Sequence, residues 1–301
     1  LSKKEQFHEW APLFLYMNVT QAKDSMGFSL RFLGQDVAKL TVNRNGIKLS
    51  TKDKELNKTN KRDFNCDIQL DNVDWRSKEA TEFRKYFSNI SERTRNSAKK
   101  NEEHRIESLL LTEFPKTDAK EKILLNIQPV KIAGIARFQM PTPLSASKVE
   151  EIKYSNSPGS GGGVDIMSRI GRGGGVKLCV MEVKDEYKSN EPPQKAILQG
   201  LAYAVFIREL LRSEGGNVWW EIFGFDGNFP KKIDLYVASV MPQKENFDTS
   251  FADMTLTKDE DIFHLHYIYF REHQNRIENF VTSLKQCSVR AENSTRSAPS
   301  G

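Results

Sequence analysis

Two carboxylates and a lysine that could do chemistry lie on, or directly after, two short apolar segments that flank a cluster of glycines. The segments are residues 164–170 and 176–183, and the glycines fall within 171–175. Both segments are aliphatic, short and bounded by glycine, which is typical of paired strands. Because glycine tolerates the positive φ angles that a chain reversal requires, the sequence predicts a β-hairpin here.

Asp165, Glu182 and Lys184 are the charged residues that this hairpin is expected to present on one face. If the reversal is centred between Gly173 and Gly174, Asp165 faces Glu182 with their Cβ atoms about 5 Å apart. Lys184 follows Glu182 by two residues and therefore projects from the same face. Two facing carboxylates repel each other, and a divalent cation relieves that repulsion. A cross-strand ion pair between Asp165 and Lys184 is the alternative that the sequence leaves open.

A set of this kind can hydrolyse a phosphodiester. Asp165 and Glu182 are the predicted oxygen ligands of Mg²⁺ or Mn²⁺, and the backbone carbonyl of Val183 is a natural third ligand. Lys184 would position or deprotonate the attacking water and stabilise the charge that develops on the phosphate oxygens. The residue types therefore predict a metal-dependent hydrolase that acts on phosphodiester bonds.

An amphipathic helix is predicted over residues 101–114, upstream of the hairpin, and it ends at Pro115. Glu103 lies at the start of its apolar stripe and is the first candidate for a further carboxylate, and Glu107 is the fallback. Glu103 is expected to hold a second metal or to bind through water. A charge that merely favours the helix N-terminus explains it equally well.

A second helix, predicted over residues 193–212, follows the hairpin. It begins at a Pro-Pro pair and ends at a Gly-Gly pair. Lys195, Gln199 and Tyr203 follow each other at intervals of four and form one polar stripe on an otherwise apolar helix. We expect Lys195 to contact phosphate, and Gln199 and Tyr203 to position nucleic acid or brace the site. A hydrogen-bonded core pair is the other interpretation of Gln199 and Tyr203.

The order helix, strands, hairpin, helix, strands resembles the core of the PD-(D/E)XK nuclease superfamily. Asp165 and the run 182–184 match its D…ExK element, with Val164 where the nominal motif has proline. Gln199 and Tyr203 match the QxxxY element of the RecB-like and lambda-exonuclease-like branches. The glycine- and serine-rich approach to Asp165 is similar to that of archaeal Holliday-junction resolvases.

The resemblance covers about residues 101–241 and implies a restriction-endonuclease-like mixed sheet flanked by helices. It also implies that the upstream glutamate is Glu103. Asp165, Glu182, Lys184, Glu103, Gln199 and Tyr203 are then the catalytic candidates; Asp165, Glu182, Val183 and Glu103 are the metal ligands; and Lys188, Lys195 and Gln199 are the nucleic-acid contacts. Mg²⁺ or Mn²⁺ is the expected cofactor.

The positive charge of the chain is concentrated in its first third. Residues 1–100 contain 20 Lys and Arg against 13 Asp and Glu, a surplus of 7, whereas the whole chain has a net charge of only +5. Residues 39–62 contain eight of these basic residues against Asp53 and Glu55. This segment is either a surface that follows the phosphates of nucleic acid or a solvated, lysine-rich loop, and the sequence leaves both open.

Composition excludes several classes of protein. No apolar run approaches the roughly 18 residues of a membrane span, and the first ten residues lack the apolar stretch of a signal peptide. The three cysteines, Cys66, Cys179 and Cys287, have no metal-ligand spacing and favour a reducing compartment. We therefore expect a cytoplasmic protein with no membrane partner.

The remaining elements follow from period and turn residues. Alternating residues around Asn45-Gly46 predict a hairpin within 26–51. Further elements are predicted as strands at 66–70, 123–130, 132–140, 218–225 and 232–241, and as helices at 77–89 and 271–284.

Together these patterns predict an α+β protein with a β-rich N-terminal domain over residues 1–95, which would bind nucleic acid or a partner. A nuclease-like domain over 96–287 and a disordered tail over 288–301 complete the expected organisation. The expected function is DNA cleavage, either restriction- or repair-like. A nuclease fold that binds nucleic acid or protein without cutting is the main alternative, and an unrelated interaction protein is the third. DNA is the expected partner, and the sequence leaves a homodimer open.

Overall fold

The computed structural model describes residues 11–18, 22–90, 102–116, 126–132, 134–146, 148, 150–155, 161–185, 191–227, 229–243 and 250–283. Over these residues the chain is an α+β protein built on two large sheets. The helices are α1 (Lys54–Phe64), α2 (Lys78–Ser88), α3 (Glu102–Glu113), α4 (Pro193–Arg212) and α5 (Gly216–Ile222). No helix in this described part of the chain combines the length and the apolar character needed to cross a membrane.

The strands, several of them only two residues long, are numbered in chain order. They are β1 (Leu13–Asn18), β2 (Ser25–Phe32), β3 (Gln35–Asn43), β4 (Gly46–Ser50), β5 (Val73–Asp74), β6 (Gln128–Pro129), β7 (Lys131–Ile132), β8 (Ala136–Arg137), β9 (Met140–Pro141), β10 (Leu144–Ser145), β11 (Lys153–Tyr154), β12 (Gly163–Val164), β13 (Ile166–Ile170), β14 (Lys177–Val183), β15 (Asp234–Pro242), β16 (Thr255–Lys258), β17 (Asp261–His273) and β18 (Arg276–Thr282).

The N-terminal sheet has the order β5-β4-β3-β2-β1-β8-β7. The predicted hairpin within 26–51 is confirmed, since β3 pairs with β4 and Asn43 lies opposite Gly46. The predicted helix over 77–89 is confirmed as α2, and the Ser77 side chain accepts a hydrogen bond from the Ala80 N–H at its start. Two strands from beyond α3, β7 and β8, complete the sheet, while the domain boundary near residue 95 stays a prediction.

The C-terminal sheet has the order β16-β17-β15-β14-β13-β6, with β18 beside β17. It is mixed: β13 is antiparallel to β14, whereas β14, β15 and β17 are mutually parallel. Helix α4 connects β14 to β15 as the crossover that a parallel pair requires. Its ends, Pro193 and Arg212, are those predicted, because proline favours a first turn and the glycines after Arg212 allow the chain to leave the helix.

The two faces of this sheet are covered by different helices. Alternate residues of β14 such as Cys179 and Met181 pack with Ile106 and Leu110 of α3. The intervening residues, such as Val180, pack with α4. Helix α3 also packs against Tyr16 of β1, whose neighbours on the opposite face belong to the N-terminal core. Helix α3 therefore lies between the two sheets.

Two hydrogen-bond networks hold α3 in this position. The Arg105 guanidinium donates to Glu102, Glu272 and Asn275 and so ties the helix to the β17–β18 hairpin. The buried Arg137 guanidinium donates to the Tyr16 hydroxyl at 3.2 Å and to the Thr112 hydroxyl at 3.0 Å, which links the helix to the N-terminal sheet. Each network removes freedom from a helix that carries two candidate site residues.

Several predicted elements are wrong. Residues 218–225 were expected to be a strand, but α5 covers most of them, since Gly215 and Gly216 end α4 and a new helix starts at once. Residues 271–284 were expected to be helical, but they contain the end of β17 and all of β18. Residues 66–70 form no strand, and 132–140 contain only two-residue strands. The expected strand at 123–130 is described only from residue 126, and the expected tail at 288–301 lies outside the described residues.

Gly34, in the turn between β2 and β3, touches the first turn of α3. Its φ is +78°, and a Cβ there would overlap the backbone of His104 and Arg105. Replacing Gly34 by alanine should therefore lower the free energy of unfolding by about 2–4 kcal/mol, through the left-handed backbone and through the displacement of α3. Urea unfolding measures this change.

Gly173 supplies the matched control. It has φ +55°, and a Cβ there would meet no atom within 4 Å. Gly173→Ala should cost only the backbone term, about 1 kcal/mol. Equal losses in the two variants would contradict the close contact between the turn and α3.

Candidate metal centre

The hairpin that carries the charged residues has the predicted register. Ile166 lies opposite Met181 and Ile170 opposite Lys177, and the turn falls at the short 3-10 helix Gly173–Gly175. The first strand, however, is interrupted: Val164 pairs with Met140 of β9, and the chain bends at Asp165 before β13 begins. The ladder therefore stops one residue short of the predicted pair of Asp165 and Glu182.

The bend at Asp165 gives its carboxylate a specific position. Asp165 Oδ2 accepts a hydrogen bond of 2.8 Å from the backbone N–H of Val183, at the end of β14. The side chain consequently lies beside the last residues of β14, next to the start of the Glu182–Lys184 run. The sheet thus holds this carboxylate through a backbone donor.

Three carboxylates converge at this point. One oxygen from each of Glu103, Glu107 and Asp165 lies within 4.8 Å of the others. Glu103 and Glu107 are four residues apart on α3, so they share one helix face. Helix α3 therefore contributes both of the glutamates that the sequence analysis treated as alternatives. Glu107 is almost fully buried, whereas Glu103 is partly exposed and opens the group to solvent.

Glu182 and Lys184 form a buried ion pair beside this group. Lys184 Nζ lies 2.6 Å from Glu182 Oε1, and the two side chains are only 5% and 2% exposed. Lys184 Nζ also donates to Gln199 Oε1 at 3.2 Å and lies 3.9 Å from a carboxylate oxygen of Glu191. The predicted common face of Glu182 and Lys184 is confirmed, and Glu182 is a neighbour of the three converging carboxylates instead of one of them.

Burial and mutual repulsion dominate the electrostatics of the carboxylates. Burial, followed by the charge of Asp165, raises the pKa of Glu107 well above its ordinary value, against a smaller opposing effect of Arg31. Burial and the charge of Asp165 also raise the pKa of Glu182, although Lys184 opposes them. Burial disfavours the Lys184 ammonium, but Glu182, Asp165 and Glu103 outweigh it and raise the pKa of Lys184. The four carboxyl groups of Glu103, Glu107, Asp165 and Glu182, called the buried cluster below, therefore outnumber the single ammonium of Lys184.

One oxygen in this cluster is left without a partner. Glu182 Oε2 is buried and accepts no hydrogen bond from any described residue. Orphaned buried oxygens are costly, and a cation offsets that cost. The atoms available to bind a metal ion are all carboxylate oxygens, the ligand type that Mg²⁺ and Mn²⁺ prefer. The residues present therefore fit a hard divalent cation.

Helix α4 positions Lys184 from the other side. A Cβ at Gly200 would lie 3.2 Å from Val237 Cγ1 and 3.4 Å from Glu182 Cβ, so this glycine permits a close approach of the helix to β14. Gln199 then reaches Lys184, and Tyr203 hydrogen-bonds Gln199 and the backbone of Ala146. Gln199 and Tyr203 thus brace the Lys184 side chain, and both are buried.

The glycine-rich approach to Asp165 has a packing role. A Cβ at Gly162 would overlap the Tyr203 hydroxyl and approach the Leu144 carbonyl to 3.0 Å. Gly162 also accepts a hydrogen bond from the Thr142 N–H and donates one to the Leu144 carbonyl. Small residues are needed here because the chain passes directly over α4 before it reaches Asp165.

The other predicted contacts have separate outcomes. Lys195 is one-third exposed, and its ammonium lies 3.9 Å from Glu150. Lys188 lies outside the described residues. The Val183 N–H contacts Asp165, whereas a role of the Val183 carbonyl as a ligand stays a prediction.

Two polar residues of the site were missed by the sequence analysis. Gln139 Nε2 donates to Glu107 Oε2 at 2.8 Å, and Glu191 lies near Lys184. Gln139 is a polar residue between Phe138 and Met140 in an apolar stretch, which was the available signal. Glu191 stands directly before the Pro-Pro start of α4, where an acidic residue also has an ordinary explanation as a favourable helix-end charge.

No family model, no curated protein and no solved structure matches this chain. The resemblance to the PD-(D/E)XK nucleases therefore depends on the residues quoted above and on the site in which they meet. Membership of that superfamily stays a prediction, and the geometry of the site provides the grounds on which a function can be proposed.

Proposed function

We propose that this chain is a divalent-metal-dependent nuclease that hydrolyses DNA phosphodiester bonds and has a restriction-endonuclease-like core. The observation that carries the proposal is the convergence of Glu103, Glu107 and Asp165 within 4.8 Å, beside the buried Lys184. Acids alone are common on protein surfaces. An acidic group with a buried lysine next to it has both components needed for phosphoryl chemistry, namely oxygen ligands and a positive donor.

The order of the elements supports the proposed core. Helix α3, the antiparallel pair β13–β14, helix α4 and the parallel strand β15 follow one another around one mixed sheet. The candidate residues come from α3, from the bend before β13, from the end of β14 and from α4. They meet beside the end of β14.

Glu103, Glu107 and Asp165 would hold Mg²⁺ or Mn²⁺, and Glu182 Oε2 is the nearest further oxygen candidate. When bound, such an ion polarises the scissile phosphate and lowers the pKa of a water. Hydrogen-bond donors orient two of the carboxylates for this role: Gln139 holds Glu107, and the Val183 N–H holds Asp165. Ligand positions of this kind are fixed before the substrate arrives.

Lys184 acts as a hydrogen-bond donor in this proposal. Its pKa is raised, so the side chain remains an ammonium at neutral pH and does not serve as a base. Held by Glu182 and Gln199, the Nζ atom can donate to a phosphate oxygen or to the attacking water. A donor fixed in a buried site stabilises developing charge more strongly than one in water.

The N-terminal sheet offers the basic surface for DNA. Four basic residues of the 39–62 segment pair with acids in exposed or half-exposed ion pairs: Lys39–Asp53, Lys48–Asp74, Lys52–Asp71 and Lys61–Asp67. Exposed pairs of this kind contribute only about 0–1 kcal/mol each. The phosphates of DNA can therefore replace these acids as partners of the basic residues at little cost in free energy. We accordingly propose that this segment follows the phosphates of the nucleic acid.

The test is cleavage of single-stranded, duplex and branched DNA by the full chain with Mg²⁺, with Mn²⁺ and with a chelator. We expect cleavage only with a metal ion, and Asp165→Ala should reduce its rate at least about a hundredfold, since it removes both a ligand and the partner of the Val183 N–H. Lys153→Met, which breaks an exposed ion pair with Glu151 outside both the acidic group and the 39–62 segment, is the control.

Each outcome bears on a different part of the proposal. No cleavage of any substrate would reject the enzyme and favour a nuclease fold that only binds. Cleavage that survives in Asp165→Ala would retain a nuclease but reject this site. Isothermal titration of Mn²⁺ distinguishes a metal-binding module from one without a metal site.

A further inference from the structure

The turn between β2 and β3 of the N-terminal sheet lies against the part of α3 that carries Glu103 and Glu107. Gly34, in this turn, is packed on the backbone of His104 and Arg105, which lie between the two glutamates. Arg31, at the end of β2, contacts Gln139, which in turn contacts Glu107 of the same helix, and the Arg31 side chain is only 13% exposed. The N-terminal sheet therefore reaches the candidate metal centre directly.

Arg31 is held in one orientation by three contacts. Its Nε donates to Asp36 Oδ1 at 2.7 Å across the β2–β3 turn, and its guanidinium carbon lies 4.2 Å from the centre of the Tyr16 ring. Its Nη1 donates to Gln139 Oε1 at 3.1 Å. A planar guanidinium with fixed donors can satisfy Asp36 and Gln139 at once, whereas a lysine offers a single point of contact.

These contacts determine which end of the Gln139 amide faces Glu107. Arginine can only donate hydrogen bonds, so the amide must present its oxygen to Arg31. The amide nitrogen then points the other way and donates to Glu107 Oε2 at 2.8 Å. With Arg31 removed, the amide could rotate and place its oxygen against the carboxylate, which would push Glu107 out of position.

We infer that Arg31 is a positioning residue of the metal centre: through Gln139 it fixes the Glu107 carboxylate in the geometry in which Glu103, Glu107 and Asp165 converge. The inference rests on the proposed function, and it adds that the N-terminal sheet is part of the site. Neither Arg31 nor Gln139 belongs to the D…ExK or QxxxY elements.

A purely electrostatic role for Arg31 predicts a different pattern among the variants. Its positive charge lies close enough to Glu107 to favour the ionised carboxylate. If that charge were all that mattered, Arg31→Lys, which keeps it, and Gln139→Met, which leaves Arg31 in place, would bind metal as the wild type does. If Arg31 positions Glu107 through Gln139, both of these variants bind metal more weakly. The metal affinities of Arg31→Lys and Gln139→Met therefore separate the two roles.

The experiment measures Mn²⁺ binding to the full chain by isothermal titration calorimetry at one pH and ionic strength. Arg31→Met removes both the charge and the contacts of Arg31. Arg31→Lys keeps the charge but loses the planar guanidinium that contacts Asp36 and Gln139 at once. Gln139→Met removes only the amide, at similar volume. We expect all three variants to raise the dissociation constant for Mn²⁺ about 10- to 100-fold, as loss of a residue that orients a metal ligand does. Lys39→Met, which breaks an exposed pair on β3, should stay within about twofold.

A second readout separates positioning from general damage to the fold. Thermal unfolding without metal checks that each variant is folded, and Gln139→Met tests the link even if an Arg31 variant is not. In DNA cleavage, the Mn²⁺ concentration for half-maximal rate should rise by the same 10- to 100-fold, while the rate at saturating Mn²⁺ stays within about fivefold of wild type. A merely structural role would lower the saturating rate together with stability.

The failures are distinguishable. If the wild type binds no Mn²⁺, the proposed metal centre is wrong and the inference is rejected with it. If the wild type binds Mn²⁺ and all folded Arg31 and Gln139 variants bind within about threefold of it, or more tightly, the positioning role alone is rejected. If the wild type binds Mn²⁺ without cleaving DNA, the enzyme is rejected, while weaker binding by the variants still supports the positioning role.

Discussion

Replacing Lys184 by methionine should slow DNA cleavage by about 100- to 1,000-fold and lower the free energy of unfolding by about 3–5 kcal/mol near neutral pH. The rate falls because the site loses its fixed donor. Stability falls because Glu182, with its side chain only 2% exposed, loses the ammonium 2.6 Å away and must either stay charged without that partner or take up a proton. Initial cleavage rates and urea unfolding in a chelator measure the two effects.

A double variant separates the lost partner from the lost side chain. Combining Lys184→Met with Glu182→Gln removes both charges at similar volume, so it should recover at least about half of the lost stability. It should not recover cleavage, since the donor is still missing. Lys39→Met, which breaks an exposed pair of the same length, should cost no more than about 1 kcal/mol. If the double variant had the same free energy of unfolding as Lys184→Met, the loss of stability would not come from a buried Glu182 without its partner.

The hairpin register and helix α4 were predictable because local sequence determines them. Glycines at the turn define where the chain reverses, and a strand period of two then assigns every facing pair from Ile166 and Met181 to Ile170 and Lys177. Helix α4 starts and ends at residues whose backbone preferences are strong. In both cases few long-range contacts are needed to define the element.

The β17–β18 hairpin was missed because its signal competes with a helical one. Residues 271–284 place apolar side chains at intervals that fit a helix, but β17, whose earlier residues are buried in the sheet, continues to His273 and pairs there with β18. The turn uses Gln274 and Asn275, both with positive φ, and Asn275 was the available sign of a tight reversal. Tertiary pairing outweighed the local pattern here.

The site was only partly predictable, for a similar reason. Asp165, Glu182 and Lys184 belong to one hairpin, so their proximity follows from local structure. Glu107 and Gln139 meet because α3 is held between two sheets, and no spacing along the chain encodes that contact. The i,i+4 spacing of Glu103 and Glu107 is a local signal for a shared helix face, and it was present in the sequence although the two were treated there as alternatives.

The metal-free protein should become less stable as the pH rises from about 5 to about 8.5, and Mn²⁺ should reverse this trend. Burial and the neighbouring carboxylates raise the pKa of both Glu107 and Glu182 in the folded state. Above the ordinary glutamate pKa of about 4.3, the unfolded chain has therefore released protons that the native cluster still holds. Stability then falls with pH by up to about 1.4 kcal/mol per pH unit for each such carboxyl.

The carboxyls with lowered pKa do not obscure this trend. The lysine and arginine partners of Asp53, Asp234 and Asp261 lower their pKa in the folded state, so these residues add stability that is lost only as the medium becomes strongly acidic. Above about pH 5 their contribution is constant. The slope in the neutral range therefore reports the buried cluster, together with any histidine that titrates there, and burial raises the pKa of the Cys66 and Cys179 thiols, which adds to the slope at about pH 8.5.

Glu107→Gln supplies the comparison that cancels the histidines. It removes one buried carboxyl and also lowers the repulsion felt by Glu182, so the free energy of unfolding in a chelator should depend less steeply on pH than in the wild type. Mn²⁺ binds the ionised carboxylates, and it should therefore stabilise the wild type more at high pH than at low pH and do so less in the variant. If the free energy of unfolding in the chelator depended on pH equally in wild type and Glu107→Gln, the folded cluster would hold no more protons than the unfolded chain. A metal ion would then have no repulsion between carboxylates to relieve.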